Sequence, residues 1–294
     1  MKAVGVVGIG NMGLAMALRL LDRGWSVAVH DIDPVREQMA SRHGARAHPH
    51  AASLARVSPL LIVAVVDAGQ TREVLFGADG AARGLAPASV VLLCPTIAPD
   101  DVEALAGELI AGGWQALDAP MSGGPVRARD GSMSMMVAGG EAAFEAAGGL
   151  LADLSSRLFR VGTRLGDGAR TKLVNNLLAT VNLVGAAEAL HLARCLGLDP
   201  RRTVDVIEQS SGQSWIGIDR LRRAVAADDE VHAHGALLAK DSALALQAAR
   251  RVGCVPAVGV RAAEVFAAAC ADGLDREDDA QLCRWLAAQG QAAA

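Results

Sequence analysis

The chain has 294 residues, enough for two domains of ordinary size. It is 52% hydrophobic but only 3% aromatic and carries a net charge of −4, so Ala, Val and Leu must build its core; disorder is excluded, and charge makes no case for nucleic acid. It has no uninterrupted apolar run of about 18 residues, as a membrane span would need, and its five scattered cysteines, without a CxxC pair, fit reduced core residues of a cytoplasmic protein, not a disulfide framework or a metal site.

The amino terminus has one lysine and then a broken apolar stretch ending in a glycine motif, which reads as strand and turn, not as a signal peptide. A strand is predicted over 3–7, then a helix over 12–23 that stops at Gly24, a strand over 26–30 and a helix over 35–42. The continuous apolar run 60–66 is that of a parallel strand buried on both faces. Further strands are predicted over 90–93, 116–117 and 133–138, with a helix over 141–154 behind the last. Strands alternating with helices indicate an α/β domain with a Rossmann-type, doubly wound parallel sheet. From 167 to about 196 the sequence reads as one long helix, stopped by Gly197, with Pro200 starting the next. Helices are predicted over 200–209, 216–227, 235–251, 258–271 and 277–288, and no strand. The expected organisation is therefore a sheet domain over 1–163 and an all-α domain over 164–294, entered by a long interdomain helix.

Gly8-Ile9-Gly10-Asn11-Met12-Gly13 follows the first strand and opens the first helix. In that context the glycines allow a tight turn, close approach of backbone to a pyrophosphate, and close helix–strand packing. Asp31 ends the second strand, where an acid can bind ribose hydroxyls and would repel a 2′-phosphate. No arginine directly follows it, although Arg36 is near in sequence, so NAD is expected over NADP. A glycine-rich turn that binds nothing is the competing reading, and the sequence of strand, turn, helix and acid weighs against it.

Lysine is nearly absent: Lys2, Lys172 and Lys240 stand against 25 arginines. Arginine can replace lysine as a solubilising charge but not as a proton donor, because guanidinium stays protonated. Lys172, Asn175 and Asn176 lie at i, i+3 and i+4 and share a helix face, where an ammonium beside two amides can grip a hydroxyl and a carboxylate. An ordinary polar helix face is the alternative. Asp118-Ala-Pro-Met-Ser122-Gly123-Gly124-Pro is a strand end and glycine-rich turn in which Ser122 can donate its hydroxyl and backbone N–H groups can cradle an anion; a plain surface turn is the commoner use of such a sequence. Lys240-Asp241, taken alone, reads as a helix-surface ion pair.

Four segments in order resemble the β-hydroxyacid dehydrogenase family, the group of 3-hydroxyisobutyrate dehydrogenase and tartronate semialdehyde reductase. They are GIGNMGLAMALRLL from Gly8, DAPMSGGPVRARDG from Asp118, GDGARTKLVNN from Gly166 and KDSALALQAA from Lys240. The resemblance implies hydride transfer between a small 3-hydroxy acid and NAD, with Lys172 as the catalytic acid or base. It implies Ser122, Gly123, Gly124 and Asn176 on the substrate carboxylate and hydroxyl with Asn175 adjacent, Thr96 near the nicotinamide ribose, and Lys240 at the cofactor. Val66 and Asp67 replace the family's usual Leu-Pro where the cofactor passes, and Met121 and Pro125 are further departures. The stretch 210–215 resembles the segment before the substrate pocket. The same resemblance implies a homodimer or homotetramer built by the helical half and a small carboxylate-bearing substrate; the cysteine pattern, the net charge and the lack of a long apolar run give the expectation of no metal, nucleic acid or membrane partner. Burial and Lys240 would lower the Lys172 pKa while a substrate carboxylate would raise it, so the net direction stays open. A tartronate semialdehyde reductase is the nearest alternative. An imine reductase, which usually has another residue at the lysine position, and a non-catalytic NAD-binding module are opposed by the intact Ser122, Lys172 and Asn176.

Overall fold

A computed structural model describes residues 2–292. Its contacts divide the chain within one long helix into two compact units, Met1–Lys172 and Leu173–Ala294. The first unit contains strands β1 (Ala3–Val7), β2 (Ser26–His30), β3 (Arg46–Ala47), β4 (Leu60–Val63), β5 (Val90–Leu93), β6 (Gln115–Asp118), β7 (Met121–Ser122), β8 (Ser134–Gly139) and β9 (Arg157–Gly162). Interleaved with them are helices α1 (Asn11–Asp22), α2 (Pro34–Arg42), α3 (Ala51–Ala55), α4 (Ala68–Phe76), α5 (Pro99–Ala111), α6 (Gly124–Asp130) and α7 (Glu141–Leu154), and the first turns of α8 (Asp167–Cys195).

The strands form one sheet in the order β3-β2-β1-β4-β5-β6-β8-β7, with β9 on the other edge of β8. The first six are parallel; β8 runs antiparallel to β6 and β7 and parallel to β9. The order reverses between β1 and β4, so a crevice opens beyond their carboxyl ends, the place where open α/β sheets bind ligands.

Both faces of the sheet are covered, and the strand period of two sorts the residues between them. Leu60, Ile62, Val90 and Leu92 face one core with Met16 and Leu20 of α1 and Leu150 and Leu151 of α7. Leu61, Val63, Val91 and Leu93 face the other with Leu54, Leu75, Leu105 and Leu109 from α3, α4 and α5. This two-sided burial is why the sequence shows unbroken apolar runs at these strands.

The second unit holds the remainder of α8 with α9 (Pro200–Glu208), α10 (Trp215–Ala226), α11 (Gly235–Arg251), α12 (Ala257–Ala271) and α13 (Leu282–Ala292). Leu183, Ala187 and Leu190 of α8 share a core with Val204, Leu221, Leu238, Phe266 and Leu282. Among the described residues this unit has no strand, only an isolated bridge between His234 and Asp278. By length and composition alone α8 is capable of crossing a membrane, although its apolar residues form no unbroken run. Yet it carries the buried polar residues Lys172, Asn176 and Thr180 and packs Leu183, Ala187 and Leu190 into a protein core.

Several expectations are corrected. β4 ends at Val63, because the chain at 64–66 turns beneath Gly8: a Cβ on Gly8 would meet the Ala64 carbonyl oxygen at 2.8 Å. The helix expected from 277 begins at Leu282, behind two short 3-10 turns over Leu274–Arg276 and Asp279–Gln281. There Asp278 accepts from the backbone of His232, Ala233 and Ala280, while the Arg220 guanidinium donates to Asp279 at 2.6 Å. These bonds hold the chain out of a regular helix. Cys94 and Cys283 are core residues as expected, but Cys195 and Cys254 are exposed.

One buried acid ties the ends of the first unit together. Asp153, near the end of α7, accepts from the Trp25 indole at 2.9 Å, from Lys2 at 2.9 Å and from Arg23 at 2.9 Å. The Trp25 bond first, then those of Lys2 and Arg23, hold its carboxyl far below the usual carboxylate range. A folded-state pKa below the unfolded one stabilises above the unfolded value, near 4, and the stabilisation is lost as pH falls through the folded value. Asp153→Ala is expected to remove about 2–4 kcal/mol at neutral pH. In denaturant titrations of both proteins, the gap in unfolding free energy should narrow below about pH 4.

Candidate active site

The glycine motif has the geometry its sequence suggests. Gly8 adopts a left-handed φ of +84°, which opens the turn after β1. A Cβ on Gly13 would lie 1.9 Å from the Gly8 carbonyl oxygen, so only glycine lets α1 start this close to the strand. The corresponding position on Gly10 meets one atom within 4 Å, Nη1 of Arg36 at 3.2 Å. Gly10 is the N-cap of α1, without a side-chain capping bond and with no acid in the first turn. The positive end of the helix dipole is thus left for an outside anion, and Arg36 adds a second positive group beside it.

Asp31 lies just past β2, next to this turn. One of its oxygens accepts from the Ile9 N–H at 2.7 Å and the other from the Asp33 N–H at 2.9 Å. Each oxygen keeps a lone pair that can accept from a hydroxyl. Glu37 holds the acid in place from behind, accepting from the Asp31 N–H at 3.0 Å and contacting His30 Nδ1 at 3.1 Å. Sequence reading missed Glu37, although its spacing one turn into α2 was visible. Asn11 and Met12 form the first residues of α1. Asp67 is the N-cap of α4 and accepts from the Gln70 N–H at 2.8 Å, and the Val66 N–H donates to Gln70 Oε1 at 3.0 Å. Thr96 lies in the loop after β5. The motif and Asp31 are therefore brought together, with 64–66 beneath them.

The lysine helix starts at the far end of the same sheet. Asp118, the last residue of β6, is 1% exposed. Its Oδ2 accepts from the N–H groups of Gly166 and Ala169, both at 2.9 Å, and its Oδ1 has no hydrogen-bond partner among the described residues. Burial pushes its pKa up to about 6, against the pull of the Ala169, Gly166 and Gly168 backbone groups. A raised pKa means the ionised form is costly: the stabilisation is full at acid pH, below the unfolded value, and is lost as pH rises through about 6. At about 1.4 kcal/mol per unit, holding this charge at neutral pH costs on the order of 3 kcal/mol. A Cβ on Gly168 would meet Asp118 Cγ, the Asp118 carbonyl oxygen and the Met136 carbonyl oxygen, each at 2.8 Å, so the first turn of α8 lies hard against β6 and β8.

Lys172 follows in the second turn of α8 and is buried. Four residues beyond Asp118 is Ser122, whose strand β7 pairs with β8 through Met121 with Met135 and Ser122 with Ser134. Gly123 (φ +125°) and Gly124 (φ +74°) then turn the chain through conformations that side-chain-bearing residues rarely adopt. One turn past Lys172, the buried Asn176 is held at both ends of its amide. Its Oδ1 accepts from Asn175 Nδ2 at 3.0 Å and its Nδ2 donates to Asp241 Oδ2 at 2.6 Å. One amide hydrogen and one lone pair remain for a ligand. The Lys240 ammonium is 3.1 Å from Asp241 Oδ1. The ion pair suggested by sequence is therefore present, with Lys240 partly exposed, while the buried Asp241 also anchors Asn176. Asp241 was visible only as the neighbour of a scarce lysine.

The family profile described as the NAD binding domain of 6-phosphogluconate dehydrogenase matches residues 3–162. A second, described as NAD-binding of NADP-dependent 3-hydroxyisobutyrate dehydrogenase, matches residues 166–286. An L-threonate dehydrogenase of Cupriavidus necator is 34% identical over 283 residues, covering 96% of this chain and 95% of that protein. The crystal structure of a 3-hydroxyisobutyrate dehydrogenase from Salmonella typhimurium superposes with a TM-score of 0.91 at 33% identity, covering 97% of this chain and 99% of that one. An imine reductase from a Pseudomonas species shares the fold, with a TM-score of 0.66 and 21% identity over 96% of this chain and 98% of that one.

Gly13→Ala must displace the start of α1 from β1. We expect at least about tenfold weaker NADH binding, or 1.4 kcal/mol, measured by NADH fluorescence with the circular dichroism spectrum unchanged. Wild-type affinity would show that the tight turn is not needed for the cofactor.

Proposed function

The chain belongs to the β-hydroxyacid dehydrogenase family, and from that premise we propose an NAD-dependent dehydrogenase of a short 3-hydroxy acid in which Lys172 moves the proton. The observation that carries this reading is the burial of Lys172 on a helix start pinned to the sheet, one turn before an asparagine whose amide is fixed at both ends. In oxidation the nicotinamide ring accepts a hydride from the carbon bearing the hydroxyl. Lys172 takes the hydroxyl proton at Nζ, and in reduction it returns that proton to the carbonyl oxygen. Ser122 and the backbone of Gly123 and Gly124 hold the carboxylate, Asn176 the hydroxyl, and Asn175 orients Asn176.

At the other end of the site, the glycine turn and the start of α1 hold the pyrophosphate, and Asp31 accepts from the adenosine ribose hydroxyls. Its fixed charge repels a 2′-phosphate, which favours NAD over NADP. Thr96, Val66, Asp67 and Lys240 are assigned to the cofactor by family resemblance. The substrate class includes 3-hydroxyisobutyrate and the hydroxy acids of similar length, among them L-threonate, which bears hydroxyls at C2, C3 and C4. Operation as a reductase of the matching aldehyde acid uses the same groups in reverse. A cytoplasmic location and a homodimer or homotetramer complete the reading; the exposed apolar residues Val174, Leu178 and Leu192 along α8, with Leu196 just past its end, favour self-association.

Turnover of a panel of 3-hydroxyisobutyrate, L-threonate, L-serine and glycerate with NAD and with NADP, read by NADH absorbance, tests the proposal. NAD-linked oxidation of at least one acid is expected, and loss of it in the corresponding amide or ester. No turnover in either direction with any acid or aldehyde acid would overturn it. Lys172→Arg keeps the charge and abolishes proton transfer, so kcat should fall about 10²-fold or more with NADH affinity little changed. Near-normal turnover in that variant would remove Lys172 from the role.

A further inference from the structure

Asp118 combines three properties that ordinary scaffold residues do not. Among the described residues it is a buried carboxylate with no cationic side chain hydrogen-bonded to it; its bonds go to the backbone of one helix start, and one of its oxygens has no partner there. Its place in the chain is equally specific. Through Oδ2 it holds Gly166 and Ala169, one turn before Lys172, and four residues onward its own strand end leads into Ser122, Gly123 and Gly124. The glycine at 168 removes the one side chain that would hold α8 away from β6 and β8. We propose that Asp118 is a positioning residue of the dehydrogenase: its carboxylate clamps the start of α8 to the end of β6 and so fixes the seat of Lys172 relative to the Ser122–Gly124 turn.

The proposal rests on the dehydrogenase reading for its catalytic meaning, while the clamp itself is a property of the first unit alone. An apolar residue would fill the same space without the cost of a buried charge, but it could not accept two N–H groups at the helix start. The carboxylate also opposes the positive end of the α8 dipole, which a neutral group would do more weakly. The titratable and charged groups facing it are Cys94 after β5 and Asp167 at the start of α8, with Glu103 of α5 and Arg170 of α8 around the adjoining Gly166. Cys94 stays a neutral thiol, its pKa pushed up by burial and by Asp118 itself. Asp167 raises the pKa of Asp118, and Arg170 is engaged by Glu103 at 2.5 Å. Asp118 itself changes charge in mildly acid solution, near its pKa of about 6.

Two variants test the clamp from its two sides. Asp118→Asn can still accept through its amide oxygen but carries no charge and does not titrate. Gly168→Ala keeps the carboxylate and forces a methyl group between helix and sheet. Misplacing Lys172 by a fraction of an ångström should lower kcat by about ten- to a hundredfold in both, with NADH affinity within about twofold of wild type. The pH profile is read in the direction of carbonyl reduction, where Lys172 acts as an acid and limits only the alkaline side. Wild type should lose kcat on the acid side near pH 6, as protonation weakens the hold on Gly166 and Ala169. Asp118→Asn should lack that limb.

Hydrogen exchange followed by mass spectrometry, on the segment 164–172, gives a readout that needs no substrate. Exchange there should be several-fold faster in both variants and unchanged in the β1–α1 region. Wild-type exchange in both variants, or an unaltered kcat and acid limb in Asp118→Asn, would overturn the proposal. So would loss of NADH binding together with cooperative unfolding, because Asp118 would then be holding the whole unit and not the lysine. A wild-type protein without dehydrogenase activity would sink the functional reading and leave the exchange result to decide the clamp.

Discussion

The structure of the candidate site depends on how α8 begins. A helix start exposes N–H groups that need acceptors, and at α8 those groups lie against the buried ends of β6 and β8, where the protein must supply the acceptor itself. Asp118 supplies it, and the missing side chain at Gly168 lets the helix come close enough for the bond to form. Everything further along α8 inherits its rotation from that start. At 3.6 residues per turn, Lys172 and Asn176 lie on one face once Gly166 and Ala169 are fixed. The second fixed point of that face is in the second unit, where Asp241 holds the Asn176 amide. Each anchor is a buried acid that accepts from the element it holds.

Two acids of the first unit show why such anchors differ from ordinary supports. Asp153 and Asp118 are both buried, yet their pKa values move in opposite directions. Asp153 receives an indole N–H and two cationic side chains, which together outweigh the loss of water. Among the described residues Asp118 receives only backbone N–H groups, and burial wins. The first arrangement stabilises the fold at neutral pH; the second lowers stability there. A group retained in a destabilising state is better explained by what it does for its neighbours than by the stability of the whole.

The sheet and the nucleotide end were legible in the sequence because their physics is local. Two-sided burial writes itself as runs such as Leu60–Val63, and a close helix–strand approach demands glycine at Gly8 and Gly13. The helices α3, α4, α5 and α6 were not picked out. α3 and α6 are short and α4 hides its start behind the Asp67 cap, while α5 carried the signals of a helix start, Pro99 followed by Asp100 and Asp101, that were passed over. At the site, sequence could place Lys172 and Asn176 on one face, but not the residues that hold that face still. Asp118 reaches Gly166 across 48 positions and Asp241 reaches Asn176 across 65, and no periodicity or spacing rule reports contacts of that range. Burial is equally invisible: Asp241 has the sequence of a surface ion-pair partner, yet it is buried beside a partly exposed Lys240.

The scarcity of lysine takes on a definite meaning in this light. Arginine supplies most of the ion pairs, including forked contacts from Arg220 to Asp279 and from Arg160 to Glu141, where a planar group with several donors suits a carboxylate. Lys2 is a half-exposed partner of Asp153, a task that arginine, as Arg23 shows on the same acid, performs as well. Lys172 differs in being buried. A guanidinium there would be larger, permanently charged and unable to exchange a proton with a substrate hydroxyl, whereas an ammonium is compact and can give one up when desolvated. Whatever replaced lysine by arginine elsewhere in this chain met, at position 172, a site where charge is not the property required.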